Sequence, residues 1–360
     1  MYKDKYVAYV GTYTHGNSVG IHIYDLDVEE GTMTERKVIP INNPSHLTVS
    51  ADGRFLYSIA DEGVAAFKIL PDGDLEAINE QWIGGMRGCY VDVDKKNRYL
   101  FVGGYHDGRV TMMNLKEDGS IGEIADGIFH TGMGRSIAER NYRPHVNCVK
   151  LTPKEYYLCA VDGGLDQVKI YQIDYERGKL KIADILREHL ESSPRMIRFT
   201  PDGKYAYVLC EETNEVDVYH YECAPQGPEF ERIQSIYTVE EAERRNCGAS
   251  GMEISEDGRY LFCSNAGTNT VIIYSVNQET GELTRICESA ISGDYPKTLA
   301  IFPDGKHFVS LNHDSNEITM FKIDYEKKYF LMEGKPISID QPNCIHIHKL
   351  VQEKTNEYVK

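Results

Sequence analysis

The sequence has no CxxC pair, no glycine-rich loop ending in Lys-Ser or Lys-Thr, and no apolar run approaching the roughly 18 residues that a membrane helix needs. These gaps set aside CxxC-type zinc and redox motifs, P-loop nucleotide sites and helical membrane proteins. The opening MYKDKYVAYVGTY carries too short an apolar stretch for a secretory signal, so a cytoplasmic location is expected. No segment is rich in proline, serine or one charge as a linker would be. One domain spanning residues 1–360 is therefore expected, although length alone would suggest two.

Positive charge is also scarce. Against 56 Asp and Glu stand 39 Lys and Arg, a formal net charge of −17, which favours solubility and opposes binding to a phosphate backbone or an anionic membrane. Neither nucleic acid nor membrane is expected as a partner. The nine cysteines are odd in number, and Cys148, Cys210 and Cys263 sit inside apolar strand patterns, so all nine read as reduced packing residues. Ile345-His346-Ile347-His348 puts two histidines on one strand face without a third ligand nearby in sequence. Neither metal nor cofactor is expected.

What is present is one short phrase written seven times: an inner-strand opening, about six residues, a turn such as Asp202-Gly203-Lys204, then a strand of tyrosines and aliphatics. The openings fall at Pro44, Met86, Pro144, Pro194, Ser250, Pro296 and Pro342, a mean spacing of about 50 residues. A period of that length holding four strands predicts one propeller blade. The clearest repeat covers 194–238, where MIRFT, KYAYVLC, EVDVYHYE and FERIQSIYTV read as strands A to D. The turn glycine is replaced at Asn97, which tolerates a left-handed backbone, and at Glu155, which does not do so cheaply and is expected to mark another turn type.

The first repeat lacks an inner strand, and PNCIHIHK after Pro342 has no strand following it. Pairing these segments closes a ring of seven four-stranded blades and covers an edge that would otherwise invite aggregation. The fold expected is therefore an all-β, seven-bladed β-propeller with its C-terminal strand in the N-terminal blade. A closed ring protects its own edges, which favours a monomer.

Antiparallel A and B strands put each A start and B end on one face, at the mouth of the channel. That face should collect His46, Arg87, Arg143, His145, Arg195, Ser250 and Lys297 from the A starts. From the B ends it should collect Tyr13, Asp61, Glu62, Tyr105, Asp162, Glu211, Asn265 and His313. An acidic protein thus gathers cations at one opening, which composition alone reads first as ordinary rim ion pairs and second as a mouth suited to a small anion. The long segments FHTGMGRSIAERNYR and YTVEEAERRNCGA must cross the same face, and VEEAERR holds helix formers for one or two turns.

The phrases YVGTYTHGNSVGIHIYDLD, PSHLTVSADGRFLYSIADEG, RPHVNCVKLTP with VDGGLDQVKIY, and SPRMIRFTPDGKYAYVLCEE occur in the order of blade signatures of a known family. The chain resembles the seven-bladed lactonase family that includes the propeller-type 6-phosphogluconolactonases and fungal carboxymuconate cyclases. The resemblance implies a catalytic group of histidine, arginine and glutamate at positions held here by His145, Arg195 and Glu211. It departs at Ala266, Met196, Asn147 and Lys297, where the family commonly has arginine, histidine, histidine and arginine; Arg244 or Arg245 is a possible replacement for the charge lost at Ala266.

The activity implied is metal-independent opening of a small anionic sugar lactone, foremost 6-phosphogluconolactone in the oxidative pentose phosphate route. Glu211 is the candidate base, with Asp162, Glu62 and His145 as rivals. His145 and Arg195 would steady the oxyanion, with Arg143, Arg87 or Lys297 on the phosphate and Asp162, His46, Asn265 and His313 as further substrate contacts. A cyclase or lactonase acting on another carboxylate, and a non-catalytic propeller binding a sugar acid or a protein, are the alternatives.

Overall fold

A computed structural model of the chain describes residues 4–134, 142–224 and 226–350. Within these lie 28 strands in seven sheets of four. Blade 1 has the order β28-β1-β2-β3, in which β28 (Pro342–Lys349) pairs antiparallel with β1 (Tyr6–Thr12). The remaining sheets follow chain order from inner to outer strand. The expected seven-bladed, all-β ring, closed by joining the two ends of the chain, is therefore observed.

The second strand of each blade shows why the repeat is rich in tyrosine. In blade 5, β17 (Tyr205–Cys210) is buried at every residue, flanked by β16 (Pro194–Phe199) and β18 (Glu215–Ala224). Its Tyr207 hydroxyl donates to the carbonyl of Gly281 in blade 6 at 3.0 Å. Tyr9 of blade 1 likewise reaches the Gly73 carbonyl of blade 2 at 2.9 Å, and Tyr57 of blade 2 reaches Asn97 of blade 3 at 3.0 Å. Each ring fills the space between blades, and its hydroxyl finds a partner in a turn of the next blade, satisfying a polar tip that burial would otherwise penalise.

The A–B turns behave as expected at Gly203 and Asn97, which have φ of 73° and 53°. Glu155 corrects the expectation. It too is left-handed, at φ 59°, held there because its carboxylate accepts the Lys95 amide at 3.0 Å and its carbonyl accepts the Tyr175 hydroxyl at 2.8 Å.

Of the two long face-crossing segments, residues 135–141 of the first lie outside the described residues. The second makes one 3-10 turn at Arg244–Asn246 rather than an α-helical turn. All nine cysteines are free. Among the described residues, no helix is long and apolar enough to cross a membrane.

Candidate active site

A cavity of about 360 Å³ opens where the inner strands begin. Arg195 enters it from the second residue of β16, and Glu211 from the position just after β17. A bulge between Pro194 and Met196 offsets the ladder at Arg195. The guanidinium is then fixed from two sides: Nη1 donates to Glu211 Oε2 at 2.6 Å, and Nε donates to the Ser250 carbonyl at 2.7 Å. Burial opposes its charge most strongly of any one influence, but Glu211, Tyr295 and Cys89 together outweigh that penalty and raise the arginine's pKa.

His145 precedes β12 (Val146–Leu151) and lines the same cavity. Its Nδ1 lies 2.7 Å from the Tyr105 carbonyl, and its ring stacks on Tyr105 with centroids 4.2 Å apart. A carbonyl only accepts, so Nδ1 carries a proton and the ring is held in place through it.

Asp162, read from sequence as a substrate contact or rival base, does not line the cavity. It is fully buried at the end of β13 (Tyr157–Asp162), where Oδ1 accepts the amides of His145, Gly164 and Leu165 at 2.9, 3.1 and 3.1 Å, and Oδ2 meets His130 Nδ1 at 2.6 Å. It anchors the backbone that presents His145.

Asn265 is also buried outside the lining, donating to the Thr238 carbonyl at 3.0 Å. His313 packs edge-on against Tyr13 and Tyr295 beyond the lining, and burial lowers its pKa with help from Lys297. Arg143 is exposed and outside the lining, and Glu62 is exposed and likewise outside it.

His46, Arg87 and Lys297 do line the cavity. The Arg87 guanidinium lies over the Tyr13 ring at 5.2 Å, with Asp61 at 3.7 Å, and the Lys297 ammonium lies 5.4 Å from the Tyr295 centroid. Such a mouth concentrates positive potential despite the protein's net charge. Arg244 instead sits over the Tyr237 ring at 3.2 Å and Arg245 is exposed; neither lines the cavity, and nor does Ala266. Met196 and Asn147, two of the departures, are part of the lining.

The lining also includes His106, Tyr90, Arg198 and Glu253, which the sequence reading does not name. Arg198 and Glu253 are the next-to-last residues of the inner strands β16 and β20 (Gly248–Ile254), and a charge within an inner strand was their signal. Cys89 also lines the cavity, but burial pushes its thiol up to about 12, which keeps it protonated.

Among the described residues, the group bringing three potential metal ligands together is Glu188, Cys210 and Asp217, none of which lines this cavity.

A family model described as "Lactonase, 7-bladed beta-propeller" matches residues 7–347. A 6-phosphogluconolactonase of Bacillus subtilis is 32% identical over 347 residues, covering 95% of this chain and 98% of that one. A 6-phosphogluconolactonase of Formosa agariphila is 29% identical, covering 88% and 92%. The crystal structure of a candidate 6-phosphogluconolactonase of Bacteroides fragilis superimposes with a TM-score of 0.87 at 29% identity, covering 96% and 98%.

Proposed function

The chain belongs to the lactonase family of seven-bladed β-propellers, and from that premise we propose that its channel mouth hydrolyses sugar lactones, with 6-phosphogluconolactone as substrate. The observation that supports this reading is the meeting, in one cavity, of a guanidinium held by Glu211 and Ser250 with an imidazole oriented by the Tyr105 carbonyl.

Two nitrogens of Arg195 are used in fixing it, which leaves Nη2 to donate to the lactone carbonyl oxygen as that oxygen becomes an oxyanion. Water adds to the carbonyl carbon and gives its proton to His145 Nε2. When the tetrahedral intermediate collapses, the ring C–O bond breaks and the proton returns to the departing alkoxide, yielding a carboxylic acid that ionises in water.

Glu211, the first candidate for the base, is better placed to hold Arg195, because one of its oxygens already accepts from that residue. Arg87, Lys297 and His106 supply donors for the phosphate. Polarisation and proton transfer are thus both provided by side chains, so the reaction is read as metal-independent. A cytoplasmic, monomeric enzyme completes the proposal, and nine free thiols suit a reducing compartment.

The test is the rate of lactone hydrolysis in two variants. His145→Gln should lose most of the rate, whereas Glu211→Gln should keep a measurable part of it. Most of the rate kept in His145→Gln and lost in Glu211→Gln would return the base to the carboxylate. Chelation with EDTA should leave the wild-type rate unchanged, whereas a loss restored by added metal would refute metal independence.

A further inference from the structure

Below the mouth, the same cavity is floored by groups that neither the base nor the oxyanion donor requires. Arg198, in β16, donates from Nη2 to Glu253 Oε1 at 2.8 Å and from Nη1 to the Tyr90 hydroxyl at 3.1 Å. Its charge is therefore matched by a carboxylate, and the floor presents no net charge of its own. Tyr90 uses a lone pair to accept from Arg198, so its own O–H proton remains to be placed. Among the described residues nothing accepts that proton.

His46 stacks on Tyr90 with ring centroids 3.7 Å apart. The Val91 amide donates to His46 Nδ1 at 3.2 Å, which requires the ring proton to sit on Nε2, and again no acceptor faces it among the described residues. His46 and His145 thus line one cavity with opposite roles for Nδ1, the first accepting from an amide and the second donating to a carbonyl.

The two floor donors also remain uncharged. Burial, followed by Arg198, Lys150 and His346, lowers the pKa of His46 well below the ordinary histidine range, and burial raises that of Tyr90. A pair of neutral donors backed by a compensated ion pair does not select an anion. It selects neutral oxygen acceptors.

We propose that His46 Nε2–H and the Tyr90 hydroxyl are specificity-determining donors that read the hydroxyl groups of a polyhydroxylated ligand. The ligand's polyol portion then points down the channel and its anionic tail stays among Arg87, Lys297 and His106 at the mouth. This orientation rests on the lactonase reading of the site, but the recognition of hydroxyls can be measured without turnover.

Titration calorimetry with D-gluconate and with hexanoate, a carboxylate of equal chain length lacking hydroxyls, separates the two matters. Wild type should bind gluconate at least about tenfold more tightly than hexanoate, on the order of one to two well-made hydrogen bonds. Tyr90→Phe should remove most of that preference while leaving hexanoate binding unchanged. His46→Asn, which keeps an acceptor for Val91 but lacks the reach of Nε2, should do the same.

Equal wild-type affinity for the two acids, or a gluconate preference that survives both substitutions, would overturn the proposal. Turnover of 6-phosphogluconolactone is recorded in parallel. A gluconate preference that depends on Tyr90 and His46, found without any turnover, would sustain the hydroxyl-reading floor while removing the lactonase reading.

Discussion

Side-chain pairing decides more than charge count in this molecule. Glu188 and Asp217 are both buried and share one cation: Arg232 lies 2.7 Å from Glu188 and 3.5 Å from Asp217. The Tyr219 hydroxyl donates to Glu188 at 2.8 Å, and Cys210 lies beside both carboxyls. One positive charge cannot balance two carboxylates, so burial, followed by Asp217, raises the Glu188 pKa to about 8.

The folded state then binds a proton that the unfolded chain releases near pH 4.5, so this pair contributes stability below that pH and loses it as pH rises toward 8. Thermal midpoints measured from pH 5 to 9 should fall for wild type and fall less for Glu188→Gln. Parallel curves would show that the pair does not hold the proton.

At the scale of elements, close backbone approaches hold the inner-strand starts in place. Gly164 follows β13, and a Cβ there would overlap the Arg143 carbonyl oxygen and come within 3.1 Å of His145 Cδ2. Gly164→Ala should therefore displace the start of β12 and lower turnover on the order of 100-fold through misplacement of His145, with circular dichroism unchanged. Activity within twofold of wild type would contradict this.

The same elements show what is legible in the sequence. Blade order and closure are readable because turn chemistry and buried tyrosines recur with each blade, and His46, Arg87, His145, Arg195, Glu211 and Lys297 follow from topology into one cavity. Asp162, Asn265 and His313 share their strand-end positions yet turn to local partners. Strand position sets the face on which a side chain emerges; its nearest hydrogen-bonding neighbour sets where it points. Tyr90, Arg198 and Glu253 lie deeper in the channel, and their meeting depends on the spacing between blades 3, 5 and 6, which no local pattern encodes.

For the whole molecule, ring closure and site integrity are linked. Strand β28 completes blade 1 through a ladder running from Tyr6–Lys349 to Thr12–Pro342, and its own Asn343 and Cys344 line the cavity. A chain ended before Pro342 should lose soluble, cooperatively melting protein, because β1 would keep an unpaired edge; a monodisperse truncated protein with the wild-type melting temperature would contradict that role.

The account's central claim is that the cation-lined mouth opens lactones, and its most direct test is the initial rate of 6-phosphogluconolactone hydrolysis in wild type and Arg195→Ala, each measured against buffer. Wild type should exceed the buffer rate, and Arg195→Ala should fall about 100-fold or more below wild type through loss of the oxyanion donor. Decay at the buffer rate with wild type, or equal acceleration by both proteins, would contradict the claim.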